Sequence, residues 1–475
     1  MARELLVAPP PLPEALRVGL PAEVQAYLRA VEQYLALVSA RLAELEARLS
    51  KDSSTSSRPP SSDPPWKSRP PEPRSGRKQG GQPGHEGVSR VVREPEAVDA
   101  VVEHWPSRCP ACQTALPREA GGAVLREQVW EIPAAPAVVT EHRRQAVRCP
   151  GCQRLVRAER PADGSVGVCG PRLSALVGLL HGRYRIAARE VQALLGGVWG
   201  VRLGLGSIAA LWQRVGEALE PAQAEVQTAV EQAPRVNADE TSWRRRGAKR
   251  WLWTATTPTL SVFRVAASRA AAELVPLLGA GFAGIVGSDR YRVYDTLPLG
   301  RRQVCWAHLK RDFAGYTTAG GALGEWGRAA LAQEHELFRL WHRFRVGELD
   351  RAGLQREAAP IQARLRALLE VGAQLGPPRG FCRELLRLWP ALWTFLEVAG
   401  VEPTNNAAER ALRPAVLWRK GSFGTQSDRG DRFAERILTV AATCTQQGGD
   451  LLEYLTAAVF AHATALPAPA LLPSP

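Results

Sequence analysis

The sequence predicts a multidomain α/β protein, and three patterns carry this prediction. Leucine and valine recur at heptad spacing near the N terminus, which is typical of a coiled-coil helix. Two Cys-x-x-Cys pairs follow and indicate a small zinc-binding ribbon. Beyond residue 234, short β-branched and aromatic runs alternate with helical patterns, which predicts a mixed sheet flanked by helices. The 475 residues suffice for about two to four such domains.

The chain is strongly basic, with a net charge of +14 and a pI of about 9.9. This charge favours a polyanionic partner, most often nucleic acid, although an arginine-rich composition also arises from the base composition of a genome. The N terminus lacks the pattern of a secretory signal, and no apolar run reaches about 18 residues. We therefore expect a soluble cytoplasmic protein, in which a disulfide framework is not expected.

The N-terminal segment, residues 1–50, is predicted to form a coiled coil. Its apolar residues alternate at spacings of three and four, as an a/d seam requires: Leu28, Val31, Leu35, Val38, Leu42, Leu45 and Leu49. This pattern predicts a homo-oligomer; the alternative is an amphipathic helix that docks on its own chain. Residues 51–90 are rich in Ser, Pro and Gly with scattered basic residues, which predicts a linker that either follows a phosphate backbone or is a plain tether.

Residues 91–160 are predicted to form a β-rich zinc-binding domain. The four candidate ligands occur in the sequences CPAC and CPGC: Cys109, Cys112, Cys149 and Cys152. Four thiolates suit tetrahedral zinc, and a closed four-cysteine site is structural rather than catalytic. The alternative, a reactive or redox thiol pair, does not explain the doubling. The 36 residues between the pairs are expected to form two strands, and Arg143 and Arg144 there are candidate DNA contacts.

Residues 161–232 have a helical pattern. A helix, a glycine-containing turn and a second helix, with Ser207 as the predicted N-cap, form either a helix-turn-helix or a plain packing unit. Beyond them, APRVNADE, KRWLWTATT and LSVFRVAAS predict a three-stranded antiparallel meander, and strand and helix then alternate. Residues 322–400 are almost wholly helical in pattern. Residues 448–475 are predicted to form a helix and a disordered tail.

Two aspartates are predicted to meet at one edge of the mixed sheet. Asp239 is predicted to end the first strand in VNADETSWRR, and Asp289 to end the next buried strand in IVGSDRY. Ligands bind at strand ends in α/β folds. Two carboxylates at such a short distance repel each other unless a cation lies between them. Magnesium or manganese is the usual cation.

Glu409, in PTNNAAERALRP, is the best candidate for a third acid. Asn405 or Asn406 is predicted to cap its helix, and Arg413 is predicted to share its face one turn on. The rival third acids are Glu402, Asp428, Asp431 and Glu435. Each acid also has an ordinary alternative role, as a turn cap or as the partner of a nearby arginine.

In their order along the chain, these motifs resemble transposases of the insertion sequence 66 family. The resemblance covers nearly the whole chain: the heptad segment before SSTSSRPPSSD, GGQPGHEG, the paired CPxC knuckles, ADETSWR, GSDRYRVYD, CWAHLKRDF, NNAAERALRP and RKGSFGTQSDRG. It implies a DDE transposase whose ribonuclease H-like catalytic domain spans residues 233–447, with Asp239, Asp289 and Glu409 as the catalytic acids. Because Glu409 follows Asp289 by 120 residues, the helical stretch of about 322–400 is interpreted as an insertion.

The resemblance also implies phosphoryl transfer on DNA with two magnesium or manganese ions. Asp239 would bridge the two ions, and Asp289 and Glu409 would each hold one. The expected partners are DNA at the element ends and at the target, a second copy of the chain, and helper proteins of the same element. The expected location is the bacterial cytoplasm, at the nucleoid during the reaction.

Several further residues are candidates for contacts with DNA or for the site. Arg413 and Lys420 are candidate phosphate contacts, and Trp243 or Trp418 is a candidate for stacking on an unpaired base. His308 in CWAHLK is either a site residue or a buried structural histidine. Two other functions stay open: a non-catalytic, zinc-containing DNA-binding protein derived from a transposase, and a metal-dependent nuclease that cleaves DNA without joining ends.

Overall fold

The computed structural model describes residues 13, 16, 18–49, 92–134, 136–159, 163–165 and 167–473. The predicted linker over residues 51–90 therefore lies outside the described residues. The chain divides into two compact units, one of residues 65–138 and the other of residues 1–64 together with 139–475. Within the described residues, no helix is long and apolar enough to cross a membrane.

The heptad pattern coincides with a single helix, α1 (Ala22–Leu49). Two residues of its predicted seam, Leu35 and Val38, are 38% and 45% exposed. Side chains beyond residue 38 of this helix are not described. Whether the seam pairs with another copy, as a coiled coil would require, stays a prediction.

The cysteine-containing region has fewer strands than the sequence predicted. Between the two cysteine pairs, the described residues form only β1 (Ala146–Arg148), which pairs antiparallel with β2 (Leu155–Arg157) beyond the second pair. The prediction of two strands in this stretch is wrong, because its apolar side chains have no surface on which to pack. Val129 and Val138, for example, are each 94% exposed.

Four helices follow, and the first three enclose a small core of their own. This core includes Val177, Leu195 and Ile208. Ser207 is not the N-cap of the third helix: that helix begins at Leu205, after the extended Gly204, and Ser207 lies exposed within its first turn. The four helices are α2 (Pro171–Gly182), α3 (Ala188–Trp199), α4 (Leu205–Ala218) and α5 (Glu220–Glu231).

The centre of the larger unit is a five-stranded mixed sheet with the strand order β5-β4-β3-β6-β7. The predicted antiparallel meander is confirmed for β3, β4 and β5, and β6 and β7 extend the sheet parallel to β3. The mixed α/β class is thereby confirmed as well. The strands are β3 (Arg235–Arg245), β4 (Ala248–Thr256), β5 (Ser261–Ala266), β6 (Ile285–Ser288) and β7 (Arg302–Val304), and the short α6 (Leu274–Leu278) precedes β6.

Helices after β7 build a second hydrophobic core, separate from that of the sheet. Trp306, Leu337 and Leu365 are fully buried in it. This agrees with the helical pattern of residues 322–400. The helices are α7 (Trp306–Thr317), α8 (Gly321–Arg345), α9 (Arg351–Gly372), α10 (Arg379–Arg387), α11 (Trp389–Leu392) and α12 (Thr394–Glu397).

Three helices complete the unit: α13 (Asn406–Ser422), α14 (Asp428–Gln446) and α15 (Leu451–Ala463). The expectation of a disordered tail after α15 is wrong for the residues that the structure describes. Leu471 is buried in the main core, and the Glu225 carboxylate accepts hydrogen bonds from the backbone N–H groups of Leu471 and Leu472. The burial of Leu471 and the two hydrogen bonds to Glu225 together hold this proline-rich segment in place.

Candidate active site

Asp239 and Asp289 lie side by side at one edge of the sheet. β3 pairs in parallel with β6 from Arg235 to Asn237, and Asp239 lies two residues beyond this pairing. Asp289 directly follows β6, as predicted. Asp239 does not end its strand, however, because β3 continues to Arg245 through its antiparallel pairing with β4. Asp239 still lies beside Asp289, because β6, the parallel neighbour of β3, ends at Ser288.

Gly287 packs against a side chain of the neighbouring strand beside these aspartates. The side chain of Asn237 lies over Gly287, and a Cβ atom on Gly287 would be 2.2 Å from Asn237 Oδ1. A larger residue at this position would therefore displace the Asn237 side chain. The parallel pairing of β3 with β6 carries Asp239 and Asp289 to the same edge.

The two aspartates are costly to ionise in this position. Burial raises the pKa of Asp239 well above its ordinary value, and the Glu240 and Asp289 carboxylates raise it further. Burial also raises the pKa of Asp289, although a hydrogen bond from Tyr291 N–H and the charge of Arg269 oppose this. A divalent cation would remove much of this cost, because it favours the charged form of both groups.

Glu409 comes to the same edge from the first turn of α13. Asn405 occupies the predicted N-cap position, but its side chain makes no capping hydrogen bond, and its Nδ2 instead donates to Ala238 O at 2.9 Å. This hydrogen bond ties the start of α13 to the residue before Asp239. Burial raises the pKa of Glu409, and the nearby Arg311 charge opposes the shift.

The start of α7 lies against the start of α13. Trp306 N–H donates to Pro403 O at 2.9 Å, and Asn405 N–H donates to Cys305 Sγ at 3.2 Å. His308, in the first turn of α7, places its Nδ1 3.6 Å from Glu409 Oε1. Burial, together with the charges of Arg311 and Arg290, lowers the pKa of His308 to about 3, so the ring is neutral at pH 7.

Within the described residues, the ligand atoms that all lie within 4.8 Å of one another belong to Cys305, His308 and Glu409. The three predicted acids influence one another electrostatically but do not form such a group. Sequence reasoning considered His308 but left Cys305 and Arg311 out. The short segment CWAHLKR carries all three residues, at the junction of a strand and a helix.

The arginine beside Glu409 is not the one that the sequence predicted. Arg311 Nη2 lies 3.8 Å from Glu409 Oε1, whereas Arg413 is exposed and forms no ion pair within the described chain. Lys420 is exposed as well. Both remain predictions as phosphate contacts, because their side chains are accessible.

The rival third acids occupy other places. Glu402 is exposed and lines a groove, and Asp428 pairs with Arg245 at the surface. Asp431 accepts hydrogen bonds from Trp243 and Arg245, and Glu435 accepts one from Val265 N–H at 2.7 Å. The carboxylates of the two buried rivals, Asp431 and Glu435, are thus occupied by hydrogen bonds within the fold.

Glu240 is a buried acid that sequence reasoning did not single out. Its carboxylate accepts hydrogen bonds from Arg269 Nε at 2.7 Å and from the Tyr294 hydroxyl at 2.6 Å. Strand alternation directs it to the face opposite Asp239, which explains why it has its own partners. It supports the sheet beside the site and still raises the pKa of Asp239.

Arg290 connects the site to the helical insertion. It binds Asp312 and Glu384, each at 2.6 Å, and lies over the Phe381 ring. Asp289 is therefore not its ion-pair partner, contrary to the ordinary alternative considered for that aspartate.

Trp243 and Trp418 are core residues and do not stack on a base. They are 0% and 4% exposed, and their rings meet edge to face with centroids 6.1 Å apart. Trp243 Nε1 also donates a hydrogen bond to the Asp431 carboxylate. The expectation that either ring stacks on DNA is wrong for this reason.

A polar groove of about 490 Å³ runs beside the first turn of α13. Two of its cations, Arg345 and Arg410, have no carboxylate within 4.0 Å among the described residues, and Arg410 directly follows Glu409. Trp341 gives the groove an aromatic wall. The full lining is Phe338, Trp341, His342, Arg345, Glu402, Pro403, Thr404, Asn406 and Arg410.

The two cysteine knuckles have the same local structure. In each, the N–H of the first cysteine donates to the carbonyl five residues further along the chain. The glutamine after the second cysteine has a left-handed backbone conformation. Hydrogen bonds lower the pKa of Cys112, mainly from Thr114, and that of Cys149, mainly from Cys152. Metals bind the thiolate form, so these shifts favour metal binding.

Arg143 and Arg144, the predicted DNA contacts near the second knuckle, both have partners in the chain. Arg143 forms an exposed ion pair with Glu141 at 2.9 Å, and Arg144 donates to Ala158 O at 2.8 Å. Exposed pairs of this kind are weak, so they do not prevent a contact with phosphate.

Comparison with known proteins accounts for these features. Residues 167–432 match the family described as Transposase IS66 family, and residues 106–153 match the zinc-finger binding domain of transposase IS66. Residues 8–91 match a family of unknown function, DUF6444.

Two similar proteins come from Sinorhizobium fredii. "Uncharacterized protein y4qI" is 30% identical over 260 residues, which is 48% of this chain and 47% of that protein, so the match spans about half the length of this relative. "Uncharacterized protein y4hP" is 24% identical over 400 residues, 75% of this chain and 71% of that protein. The family match covers more than half of the chain and all three predicted acids. The chain belongs to the IS66 family of transposases.

Proposed function

We propose that this protein is a DNA transposase that cleaves and joins DNA strands with divalent metal ions held by Asp239, Asp289 and Glu409. The observation that supports the proposal is that these acids lie near one edge of a mixed sheet, where they influence one another electrostatically. Asp239 and Asp289 follow the parallel pairing of β3 and β6, and Glu409 approaches on α13.

The sheet supports a ribonuclease H-like catalytic domain. Three antiparallel strands followed by two strands parallel to the first give the order β5-β4-β3-β6-β7. The family resemblance implies such a domain, and in this chain Asp239 lies on the first of these strands, Asp289 follows the fourth and Glu409 lies on α13. The helices α8 to α12, which pack in the second core, are the proposed insertion of about residues 322–400.

The residues present fit magnesium or manganese. Hard divalent ions prefer carboxylate oxygens, and three carboxylates whose pKa values are raised by burial are available. Glu409 Oε1 is buried without a hydrogen-bond partner among the described residues. When bound, such ions would stabilise the charge on the attacking and leaving oxygens of a phosphodiester.

The side chains of this chain perform the remaining tasks. Asp239 and Asp289 would present fixed oxygen atoms to the ions, because Glu240 N–H and Tyr291 N–H each donate to one carboxylate oxygen at 2.8 Å. The Arg311 charge lies 3.8 Å from Glu409 Oε1 and favours the ionised form of this carboxylate. Arg345 and Arg410 in the polar groove, with Arg413 and Lys420 on α13, bind the DNA backbone, which positions DNA without reading its sequence.

The cysteine knuckles and the arginines beside them bind zinc and DNA in this proposal, and α1 joins two copies of the chain. Cys109, Cys112, Cys149 and Cys152 hold one structural zinc ion, and Arg143 and Arg144 contact DNA. The exposed seam of α1 pairs two copies of the chain. Helper proteins of the same element take part where the purified chain alone is inactive.

The test is strand cleavage and joining by the full-length chain. Supercoiled plasmid that contains the element and its flanks is incubated with Mg²⁺ or Mn²⁺, and nicks, breaks and joined products are mapped by sequencing. We expect breaks at the element ends and joined products with a second plasmid, both lost in Asp289→Asn. Breaks without joined products would indicate the nuclease alternative. DNA binding with no Asp239-dependent activity in cells would indicate the non-catalytic alternative.

A further inference from the structure

His308 and Glu409 face each other across the junction of two helices. α7 begins directly after β7, and α13 begins after the segment 403–405 that hydrogen bonds to the start of α7. Each residue lies in the first turn of its helix. Their relative position is therefore set by backbone contacts and does not depend on side-chain rotamers alone.

The facing atoms of this pair have no hydrogen-bond partner. His308 Nδ1 and Glu409 Oε1 are both buried without a partner within the described chain, and 3.6 Å separates them. That distance is too long for a hydrogen bond. Buried polar atoms in native proteins are nearly always satisfied, so two facing unsatisfied atoms indicate a third group that binds both.

The neighbouring side chains do not supply that group. Arg311 Nη2 stays 3.8 Å from Glu409 Oε1, which is too long for a hydrogen bond. Cys305 Sγ lies in the same cluster but already accepts the Asn405 N–H.

We propose that His308 Nδ1 is a direct metal ligand, which shares with Glu409 Oε1 the divalent ion on the Glu409 side of the active site. The inference rests on the proposed function and adds a nitrogen donor to a site otherwise built from carboxylates. A neutral imidazole is the form that coordinates metals.

This assignment has a consequence for metal preference. Mg²⁺ selects oxygen ligands and keeps much of its water, whereas imidazole suits first-row transition metals. A site with one imidazole ligand therefore favours Mn²⁺ over Mg²⁺. Replacement of His308 by an oxygen donor would reduce that preference more than it reduces Mg²⁺ binding.

The test is pulsed EPR of Mn²⁺ bound to the full-length protein, which detects a directly bound nitrogen by its hyperfine coupling. Wild type is compared with His308→Gln, with His462→Gln as a control at an exposed histidine on α15, and with Asp289→Asn. Wild type with ¹⁵N-labelled histidine provides a second reading that needs no substitution. Calorimetry with Mn²⁺ and Mg²⁺ gives the affinities.

We expect a histidine nitrogen coupling in wild type and in the control, and its loss in His308→Gln. Mn²⁺ affinity in His308→Gln should fall by about 10-fold or more, because about 10- to 100-fold is the loss for residues that only support a ligand, and Mg²⁺ affinity should fall by less. Mn²⁺ that depends on Asp289 but shows no coupling to ¹⁵N-histidine in wild type would overturn this inference and leave the proposed function intact. Mn²⁺ binding that is absent, or unaffected by Asp289→Asn, would overturn both. If His308→Gln does not fold, the labelled wild type decides alone.

Discussion

Asp289 follows Asp239 by 50 residues, and the register of β3 with β6 has the same offset. Arg235 pairs with Ile285 and Val236 with Val286, so continuation of the register sets Asp239 level with Asp289. The offset reflects the length of the β4–β5 meander and α6, which return the chain to the neighbouring position in the sheet. The two carboxylates are therefore neighbours because of the register.

The first prediction concerns the acids. Asp239→Asn, Asp289→Asn and Glu409→Gln should each lower strand cleavage by at least about 10-fold, because loss of a direct ligand costs no less than loss of an outer contact. DNA binding should persist, since phosphate contacts lie on other residues. Plasmid cleavage and a gel-shift titration measure the two effects. Full activity of Glu409→Gln would show that the third acid is misassigned.

The second prediction concerns stability in the absence of divalent ions. Burial raises the folded-state pKa of Asp239, so the ionised group destabilises the fold at pH values above that pKa. Below the ordinary carboxylate pKa, about 3.9, the penalty vanishes because the group is protonated in both states. Asp239→Asn should therefore raise Tm at pH 7, by about 2–4 °C per kcal/mol, and the gain should shrink towards pH 4.

This stability effect is measured by calorimetry in EDTA, with Asp350→Asn as the control. Asp350 accepts the Gly353 N–H as a helix cap far along the chain, and asparagine caps helices about as well as aspartate, so its substitution should leave Tm nearly unchanged at both pH values. An equal gain for Asp239→Asn at pH 4 and pH 7 would contradict the proposed origin of the effect.

The third prediction concerns the cysteine knuckles. Cys112→Ser should lower the zinc content of the purified chain well below one ion and make the region around the knuckle sensitive to protease, because three thiolates hold zinc less tightly than four. Metal analysis by mass spectrometry measures this. Cys444→Ser, at a buried cysteine of α14, should keep its zinc. Unchanged zinc in Cys112→Ser would disprove the four-cysteine site.

The fourth prediction concerns the polar groove beside α13. Arg410→Ala and Arg345→Ala should weaken DNA binding for all sequences alike, and each should reduce the slope of log K against log salt by about 1. Arg366→Ala is the matched control, since Arg366 is exposed but paired with Glu370. A change in sequence preference without a change in slope would mean that these arginines do not contact phosphate.

The fifth prediction concerns self-association through α1. Leu35→Glu with Val38→Glu should convert oligomers to monomers, because charge on an a/d seam removes the apolar contact between helices. Light scattering after gel filtration measures the mass. Leu37→Glu is the control: Leu37 is 71% exposed and lies off the seam. Dissociation by the control, or none by the seam variant, would contradict the coiled coil.

Much of this protein follows from local patterns in its sequence. Three short strand-like runs separated by turn sequences predicted the meander of β3, β4 and β5, because short loops join antiparallel neighbours. The CPxC knuckles were recognisable because two cysteines two residues apart fit one turn around a metal. The sequence also identified Asp289 as the residue that follows a buried strand.

Only the tertiary structure decided which side chains meet across long distances in the chain. Glu409 reaches the sheet because Asn405 binds Ala238, a contact across 167 residues, and it meets His308 and Arg311 rather than Arg413. Periodicity describes one helix or strand at a time, so it places Arg413 one turn from Glu409 but cannot show that α7 packs there. For the same reason periodicity could not show that the C-terminal tail packs on the core. The burial of Leu471 and its hydrogen bond to the Glu225 carboxylate hold the tail there.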